Sequence, residues 1–167
     1  MSSTFVAILM GSDSDLPVMQ ATISILKTFG IEHEVRVRSA HRTPDAAKAY
    51  VKDAEERGCK VFICAAGLAA HLAGAVAGMT TRPVIGVPVD NGPLQGHDAL
   101  LSTVMMPGGI PVATVAIGKA GAKNAGYLAA QILGVADQSI AEKVKEERAA
   151  NAIALLAKDE AMQAKLS

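Results

Sequence analysis

Continuous apolar runs that end in glycine or polar residues recur along the chain, and helical patterns separate them. They lie at 4–10, 33–39, 59–67, 83–89 and 110–118. Runs of this kind are typical of strands that are buried on both faces of a sheet. The run at 33–39 alternates more strongly between apolar and polar residues, which favours a position at the sheet edge. Strands that alternate with helices predict an α/β fold with a parallel sheet between two helical layers.

Right-handed crossovers leave few possible strand orders for such a sheet. Of these we expect a flavodoxin-like order, 2-1-3-4-5, in a three-layer α/β/α arrangement. The 167 residues are enough for one domain with a sizeable core, so we predict a single domain over 1–167.

Residues 137–167 within that domain form a charged C-terminal helix in this prediction. Two roles remain open for it, a solvated tail helix or an arm that bridges subunits. Its apolar stripe consists of Ile140, Val144, Ile153, Leu155 and Leu156.

Composition excludes several classes of function. The 16 basic and 16 acidic side chains cancel, and aromatic residues make up only 3% of the chain. A nucleic-acid binder usually has a basic excess, and single-strand binders add stacking aromatics. The N-terminal apolar run is too short to span a membrane and lacks a basic leader, so we expect a soluble, cytoplasmic protein without a membrane partner. Cys59 and Cys64 match no redox or zinc spacing, which predicts reduced, buried thiols.

Three polar loops follow the first three predicted strands. They are GSDSD at 11–15, SAHRTP at 39–44 and AAGLAAH at 65–71. In an open parallel sheet, ligands bind outside the carboxyl ends of the strands, where the strand order reverses. The order chosen above brings these three loops together at that point, which predicts a ligand site there.

The first loop can face an anion or a ribose. Gly11 allows a close turn, Ser12 offers a hydroxyl donor, and Asp15 can accept from ribose hydroxyls. The alternative is plain capping of the following helix by Ser14 or Asp15. The loop matches neither the GxGxxG pattern nor a P-loop, which disfavours dinucleotide and ATP sites.

The SAHRTP loop combines an anion-binding group with a proton-transfer group. Arg42 can bind a phosphate through paired hydrogen bonds, and Ser39 can donate to the same oxygens. His41 can exchange a proton near neutral pH. The alternative is a helix start, with Thr43 as the cap and Pro44 at the first helical position, behind a surface His-Arg pair.

The third loop supplies Gly67, which can admit a ligand close to the backbone, and His71. The alternative for His71 is a histidine that faces the core and binds a carbonyl. No Cys, His and Asp cluster has metal-ligand spacing, and no nucleophile elbow is present. The three loops therefore favour phosphate binding and acid–base chemistry without a metal or a covalent intermediate.

The motifs MGSDSD, SAHRTP, AAHLAG and MMPGGIPVATVAIGKAGAKNAGYLAAQIL cover the chain from about Val6 to Leu133. On these motifs the chain resembles the 5-(carboxyamino)imidazole ribonucleotide mutases of purine biosynthesis. The resemblance implies a flavodoxin-like fold and an octamer in which the C-terminal helix reaches a neighbouring subunit. It also implies transfer of a carboxylate from the exocyclic nitrogen of the ribonucleotide to a ring carbon without ATP, biotin or metal.

The resemblance assigns roles by motif position. His41 matches the catalytic histidine, and His71 matches a second histidine that orients the carboxylate or tunes His41. Ser39 and Arg42 would bind the phosphate, and Asp15 the ribose hydroxyls. The substrate-binding residues implied are Ser12, Asp15, Ser39, Ala40, Arg42, Ala66, Gly67 and Leu72.

The third loop departs from the pattern GGAAHLPG that is common in this family, because Leu68 replaces a glycine and Ala73 a proline. A side chain at position 68 could narrow the pocket or demand a changed backbone. Two other functions remain open: a carboxylase that adds free carbon dioxide to the same ring, and a nucleotide-binding module without catalysis.

Overall fold

A computed structural model describes residues 4–166 of the chain. Within that range the strands all pair in parallel, in the order β2-β1-β3-β4-β5. This confirms the flavodoxin-like order predicted from the sequence, with the second strand at an edge. The strands are β1 (Phe5–Met10), β2 (His33–Val37), β3 (Cys59–Gly67), β4 (Val84–Val89) and β5 (Ala113–Thr114).

Helices cover both faces of the sheet. One core cluster joins α1, α5 and the start of α6 to the sheet, and a second joins α2 and α3 to the opposite face. A short helix, α4, lies in the long connection between β4 and β5. The helices are α1 (Leu16–Thr28), α2 (Pro44–Arg57), α3 (Leu72–Ala77), α4 (His97–Val104), α5 (Gly118–Gly134) and α6 (Gln138–Leu166).

The strand β1 shows how the apolar runs become a core. Its alternate residues Val6 and Ile8 pack in the α1/α5 cluster, whereas Ala7 and Leu9 pack in the α2/α3 cluster, and all four are fully buried. Successive side chains of a strand point to opposite faces, so a strand covered on both sides has no polar position. Hydrophobic burial on two faces therefore stabilises β1 inside the sheet, between β2 and β3.

Both cysteines lie on β3 as free, buried thiols, as the sequence predicted. Burial raises the pKa of Cys59 to about 11, which keeps this thiol protonated at neutral pH. The pair therefore contributes to packing.

The strand predicted at 110–118 is mostly wrong. Only Ala113 and Thr114 pair with β4, and the backbone on either side leaves the sheet. β5 is an edge strand with a neighbour on one side, and Pro111 has no N–H to donate to a ladder. Gly118, with φ +71°, then turns the chain into α5. The apolar run therefore predicted too long a strand, because the length of β5 depends on how many of its residues pair with β4.

The helix α6 has two unlike halves. Ile140 and Val144 pack against the core, and Lys143 Nζ donates to the Phe29 carbonyl at 3.2 Å. The second half is exposed at every residue from 149 to 166. The predicted stripe is thus a packed face only at its start, because Ile153, Leu155 and Leu156 are 65–68% exposed.

None of the helices between residues 4 and 166 is both long enough and apolar enough to cross a membrane.

Candidate functional site

The loops that follow β1, β2 and β3 enclose a cleft of about 310 Å³ at the carboxyl edge of the sheet. The structure brings all of the candidate residues to this one place, where the strand order reverses, as expected for a doubly wound sheet. Its lining includes Ser12, Asp15, Ser39, Ala40, His41, Arg42, Ala66, Gly67, His71 and Leu72. The other two histidines of the chain, His33 and His97, are not among the residues that line the cleft.

The first loop forms a reciprocal cap ahead of α1. The Ser12 hydroxyl accepts a hydrogen bond from the Ser14 N–H at 3.3 Å, and the Asp15 carboxylate accepts from the Ser12 N–H at 3.1 Å. The capping alternative is therefore wrong for α1, because Ser12 caps the short turn at Asp13–Asp15 and Asp15 makes no side-chain cap bond to α1. The cap also fixes Ser12 and Asp15 against each other beside the cleft.

Asp15 is a buried carboxylate, only 2% exposed. Burial raises its pKa, whereas hydrogen bonds from the Ser12 N–H and the Asn91 side chain oppose that rise. Asn91 Nδ2 donates to Asp15 Oδ1 at 3.1 Å. Each carboxylate oxygen has two lone pairs, so these bonds leave acceptor capacity for a ligand hydroxyl.

The second loop is braced by Thr43. Its hydroxyl accepts from the Ser39 N–H at 3.0 Å and donates to the Ser39 carbonyl at 3.2 Å, and no side-chain cap bond reaches α2. The predicted cap by Thr43 is therefore wrong in its partner, while Pro44 does begin the helix. Bracing by Thr43 holds the Ser39 hydroxyl where the Arg42 N–H donates to it at 3.1 Å.

The Arg42 guanidinium connects the first and second loops. Its Nη2 donates to the Gly11 carbonyl at 2.8 Å, and its Nε lies 3.5 Å from the Ser39 hydroxyl. A guanidinium has five N–H groups, so these contacts leave others for an anion. Arg42 and Ser39 are thus held together beside the cleft, where their N–H and O–H groups can donate to an anion.

His41 and His71 form a direct pair across the cleft. Nε2 of His41 lies 2.8 Å from Nδ1 of His71, and the two rings meet edge to face with centroids 4.8 Å apart. One nitrogen must donate and the other accept, so the contact couples the tautomers of the two rings. The pair can hold one proton between the nitrogens, because two N–H groups facing each other would break the contact. The alternative for His71 is therefore wrong, because its Nδ1 contacts His41 and not a carbonyl.

Leu68, one of the two departures from the GGAAHLPG pattern, has a left-handed backbone with φ +55°. A residue with a side chain pays about 1–2 kcal/mol for this conformation, whereas glycine does not. The Leu68 side chain is 52% exposed and lines the cleft. Leu68 therefore adopts a backbone turn that favours glycine and places an apolar side chain at the cleft. Ala73, the other departure, is buried inside α3.

Asn91 is a cleft residue that the sequence analysis missed. It follows β4, the strand next to β3, so its place at the same sheet edge follows from the strand order. The surrounding segment DNGPLQGHD contains many polar residues, and no spacing distinguishes Asn91 from them. Within residues 4–166, His, Cys, Asp and Glu side chains form no group of three that could hold a metal ion.

Comparisons with known proteins point to one family. A family model described as AIR carboxylase matches residues 5–153. The N5-carboxyaminoimidazole ribonucleotide mutase of Thermotoga maritima is 60% identical over 141 residues, which cover 84% of this chain and 81% of that protein. The chloroplastic phosphoribosylaminoimidazole carboxylase of Vigna aconitifolia is 51% identical over 86% of this chain and 26% of that protein. The crystal structure of Treponema denticola PurE has a TM-score of 0.85 and 36% identity, covering 94% of this chain and 97% of that one.

Proposed function

The chain belongs to the AIR carboxylase family, and from that premise we propose that it is an isomerase of purine biosynthesis. It converts 5-(carboxyamino)imidazole ribonucleotide to 4-carboxy-5-aminoimidazole ribonucleotide. The mutase of Thermotoga maritima, at 60% identity, supports the mutase reaction over carboxylation by free carbon dioxide. The observation that carries the proposal is the histidine pair, His41 and His71, beside the Ser39–Arg42 anion site in one cleft.

The reaction moves one carboxylate and conserves protons. The bond between the exocyclic nitrogen and the carbamate carbon breaks, and carbon dioxide leaves while the nitrogen takes up a proton. The nucleophilic ring carbon then attacks carbon dioxide, a carbon–carbon bond forms, and that ring carbon loses its proton. One acid–base group can serve both steps, since it gives one proton and recovers one.

His41 is the group that we assign to both proton transfers. It projects into the cleft from the second loop, and His71 holds its Nε2 at 2.8 Å. His71 thereby orients the ring and couples the tautomer of His41 to its own, as the partner of a catalytic base does. Acid–base assistance of this kind typically accelerates a reaction about 10²–10⁴-fold.

The nucleotide is held by the groups around this pair. Arg42 and Ser39 bind the phosphate, and Asp15 accepts from the ribose hydroxyls. Ser12 also contributes to nucleotide binding. The small and apolar residues of the second and third loops wall the base and keep water from the released carbon dioxide, which stays in attack geometry. These wall residues are Ala40, Ala66, Gly67 and Leu72.

The test follows the carbamate carbon. The substrate is generated in situ with a ¹³C-labelled carbamate and supplied to the purified protein in excess unlabelled bicarbonate. A mutase retains the label in the product, because carbon dioxide never leaves the cleft. Loss of the label to the solvent pool, with product formed from the uncarboxylated nucleotide, would establish a carboxylase. Nucleotide binding without any product would leave only a binding module. A reaction without protein corrects for spontaneous decomposition of the carbamate.

We further propose that the enzyme works as a homo-oligomer, an octamer by the resemblance, in the cytoplasm and without nucleic-acid or membrane partners. Removal of residues 151–167 deletes most of the exposed half of α6 and leaves Ile140 and Val144 packed on the core. If this half bridges subunits, light scattering should show a lower mass for the truncated protein. An unchanged mass would contradict the bridging role and make this half a solvated tail.

A further inference from the structure

We propose that Asn91 is a positioning residue of this cleft: from the loop after β4, its amide orients the Asp15 carboxylate toward the ribose of the bound nucleotide. The proposal rests on the proposed function, because it takes the ribose as the group that Asp15 binds. It adds a fourth loop to a site that the sequence built from three.

The contact joins residues that lie 76 positions apart. Asn91 Nδ2 donates to Asp15 Oδ1 at 3.1 Å, while the Ser12 N–H donates to Oδ2, also at 3.1 Å. One donor on each oxygen fixes the rotation of the carboxylate. Without Asn91, only the bond from the local cap would remain, and the carboxylate could turn about it.

Asn91 is itself held by the third loop. A Cβ atom on Gly67 would lie 3.0 Å from both Cβ and Nδ2 of Asn91, so the asparagine packs over the bare backbone of that glycine. The next residue, Gly92, has φ +89°, and a Cβ there would lie 2.6 Å from Cδ2 of Leu68. Leu68 thus packs closely on Gly92. The third and fourth loops interlock at these two glycines and fix the amide of Asn91 beside Asp15.

The electrostatic surroundings explain why a neutral donor suits this position. Asp15 faces the negative Asp13 within its own turn, while Arg42, His41 and His71 line the same cleft from the second and third loops. A cation in place of Asn91 would pair fully with Asp15 and occupy the lone pairs that a ribose hydroxyl needs. An amide stabilises the ionised carboxylate and leaves those lone pairs available.

Two variants test the role of the amide. Asn91→Ala removes the donor, and Asn91→Asp replaces it with an acceptor of the same shape. Each should raise KM for the carbamate substrate at least about tenfold, since a buried charged group loses a hydrogen bond, while kcat stays within about threefold of wild type. Gln20→Glu, at an exposed position of α1 outside the cleft, is the control for the added charge of Asn91→Asp. An unchanged KM in both variants would overturn the proposal.

A second measurement does not depend on turnover. Carboxyl ¹³C resonances titrated without substrate report the pKa of Asp15, which both variants should raise further because the ionised form loses a donor. The rise in KM on acidification should then begin at a higher pH than in wild type. A KM rise that is equal at every pH, with an unmoved Asp15 titration, would reveal a merely structural role and reject the inference. If wild type fails to turn over the carbamate, the proposed function fails, while the titration still decides whether Asn91 controls Asp15.

Discussion

Asp15 and Glu34 are both carboxylates with several hydrogen-bond donors around them, yet their surroundings shift their pKa values in opposite directions. Glu34, on β2, accepts from the Arg57 guanidinium with both oxygens and from the Tyr50 hydroxyl at 2.9 Å. The Arg57 hydrogen bonds hold the pKa of Glu34 below its ordinary value. Asp15 has only neutral donors, and burial raises its pKa.

The difference separates a structural carboxylate from the one that we propose binds the ribose. Glu34 lies in a complete ion-pair network, in which Arg57 also binds Asp53, and its charge favours the folded state. Asp15 is buried and accepts hydrogen bonds from the neutral Ser12 N–H and Asn91 amide, so its charged form is less favoured in the folded state than in water. A polar cluster that is complete without a ligand supports the fold, whereas an incomplete one marks a site.

We expect the largest difference between the cleft and the Glu34 network to come from His41→Asn, which should change turnover and not stability. His41 is exposed in the cleft, so its loss should leave the melting temperature and nucleotide affinity close to wild type. Turnover should fall about 10²–10⁴-fold, since the acid–base group is gone. The matched control is His33→Asn at the opposite end of the sheet, which should keep full activity. Near-normal turnover in the cleft variant would remove the acid–base assignment.

Arg42→Lys sharpens the contrast with Arg57, whose guanidinium binds carboxylates, whereas Arg42 binds the neutral oxygens of Gly11 and Ser39. Lysine cannot make paired contacts to a phosphate, so calorimetry should show affinity for the ribonucleotide falling by about tenfold or more. The nucleoside without its phosphate should bind wild type and variant equally. An equal loss of affinity for the nucleoside would show that Arg42 does not bind the phosphate.

Asp15→Asn should weaken nucleotide binding while it raises the stability of the fold. Asn91 can turn its amide so that its oxygen accepts from the new Asn side chain, which preserves both hydrogen bonds without the buried charge. We expect about tenfold weaker nucleotide binding, typical of a lost charge-assisted bond, together with a higher melting temperature at pH 7. Because the folded-state pKa of Asp15 is raised, wild type loses stability as pH rises through that pKa. The advantage of the variant should therefore vanish in acid; an equal advantage at all pH values would contradict this.

Glu34→Gln should lower stability without affecting function, and we expect this effect to be the smallest of the four. Its melting temperature at pH 7 should fall by about 2–4 °C, as expected for one partly exposed ion-pair network, while turnover stays unchanged. The lowered folded-state pKa of Glu34 gives stability above the ordinary carboxylate pKa that is lost as pH falls through the lowered value. The deficit of the variant should disappear in acid. A loss of turnover would show that this cluster also serves the site.

The strand order and the site edge followed from the sequence because buried strands have distinct patterns. Apolar runs such as Phe5–Met10 identified the central strands, and the order then placed the three polar loops together. Local patterns did not predict the length of β5, because pairing with Ile85 and Gly86 depends on the neighbouring strand.

Contacts between distant segments also escaped prediction. The histidine pair joins positions 30 apart, and its 2.8 Å contact depends on how α3 begins after the third loop. The contact of Asn91 with Asp15 depends on two glycines whose importance appears only when the loops are packed together. Residue type predicted which groups could act, whereas tertiary packing determined which of them meet.

The cleft takes its walls from four loops that are far apart along the chain, at 11–15, 39–42, 66–72 and 91. β3 must pair with β1 on one side and β4 on the other before these loops meet. Such non-local pairings form slowly, because the entropy cost of closing long loops comes before the stabilising contacts form. A chain with half of its sheet assembled therefore has no place for the nucleotide. During refolding, binding should appear only with the completed sheet, and bound nucleotide should draw the population toward that state by mass action.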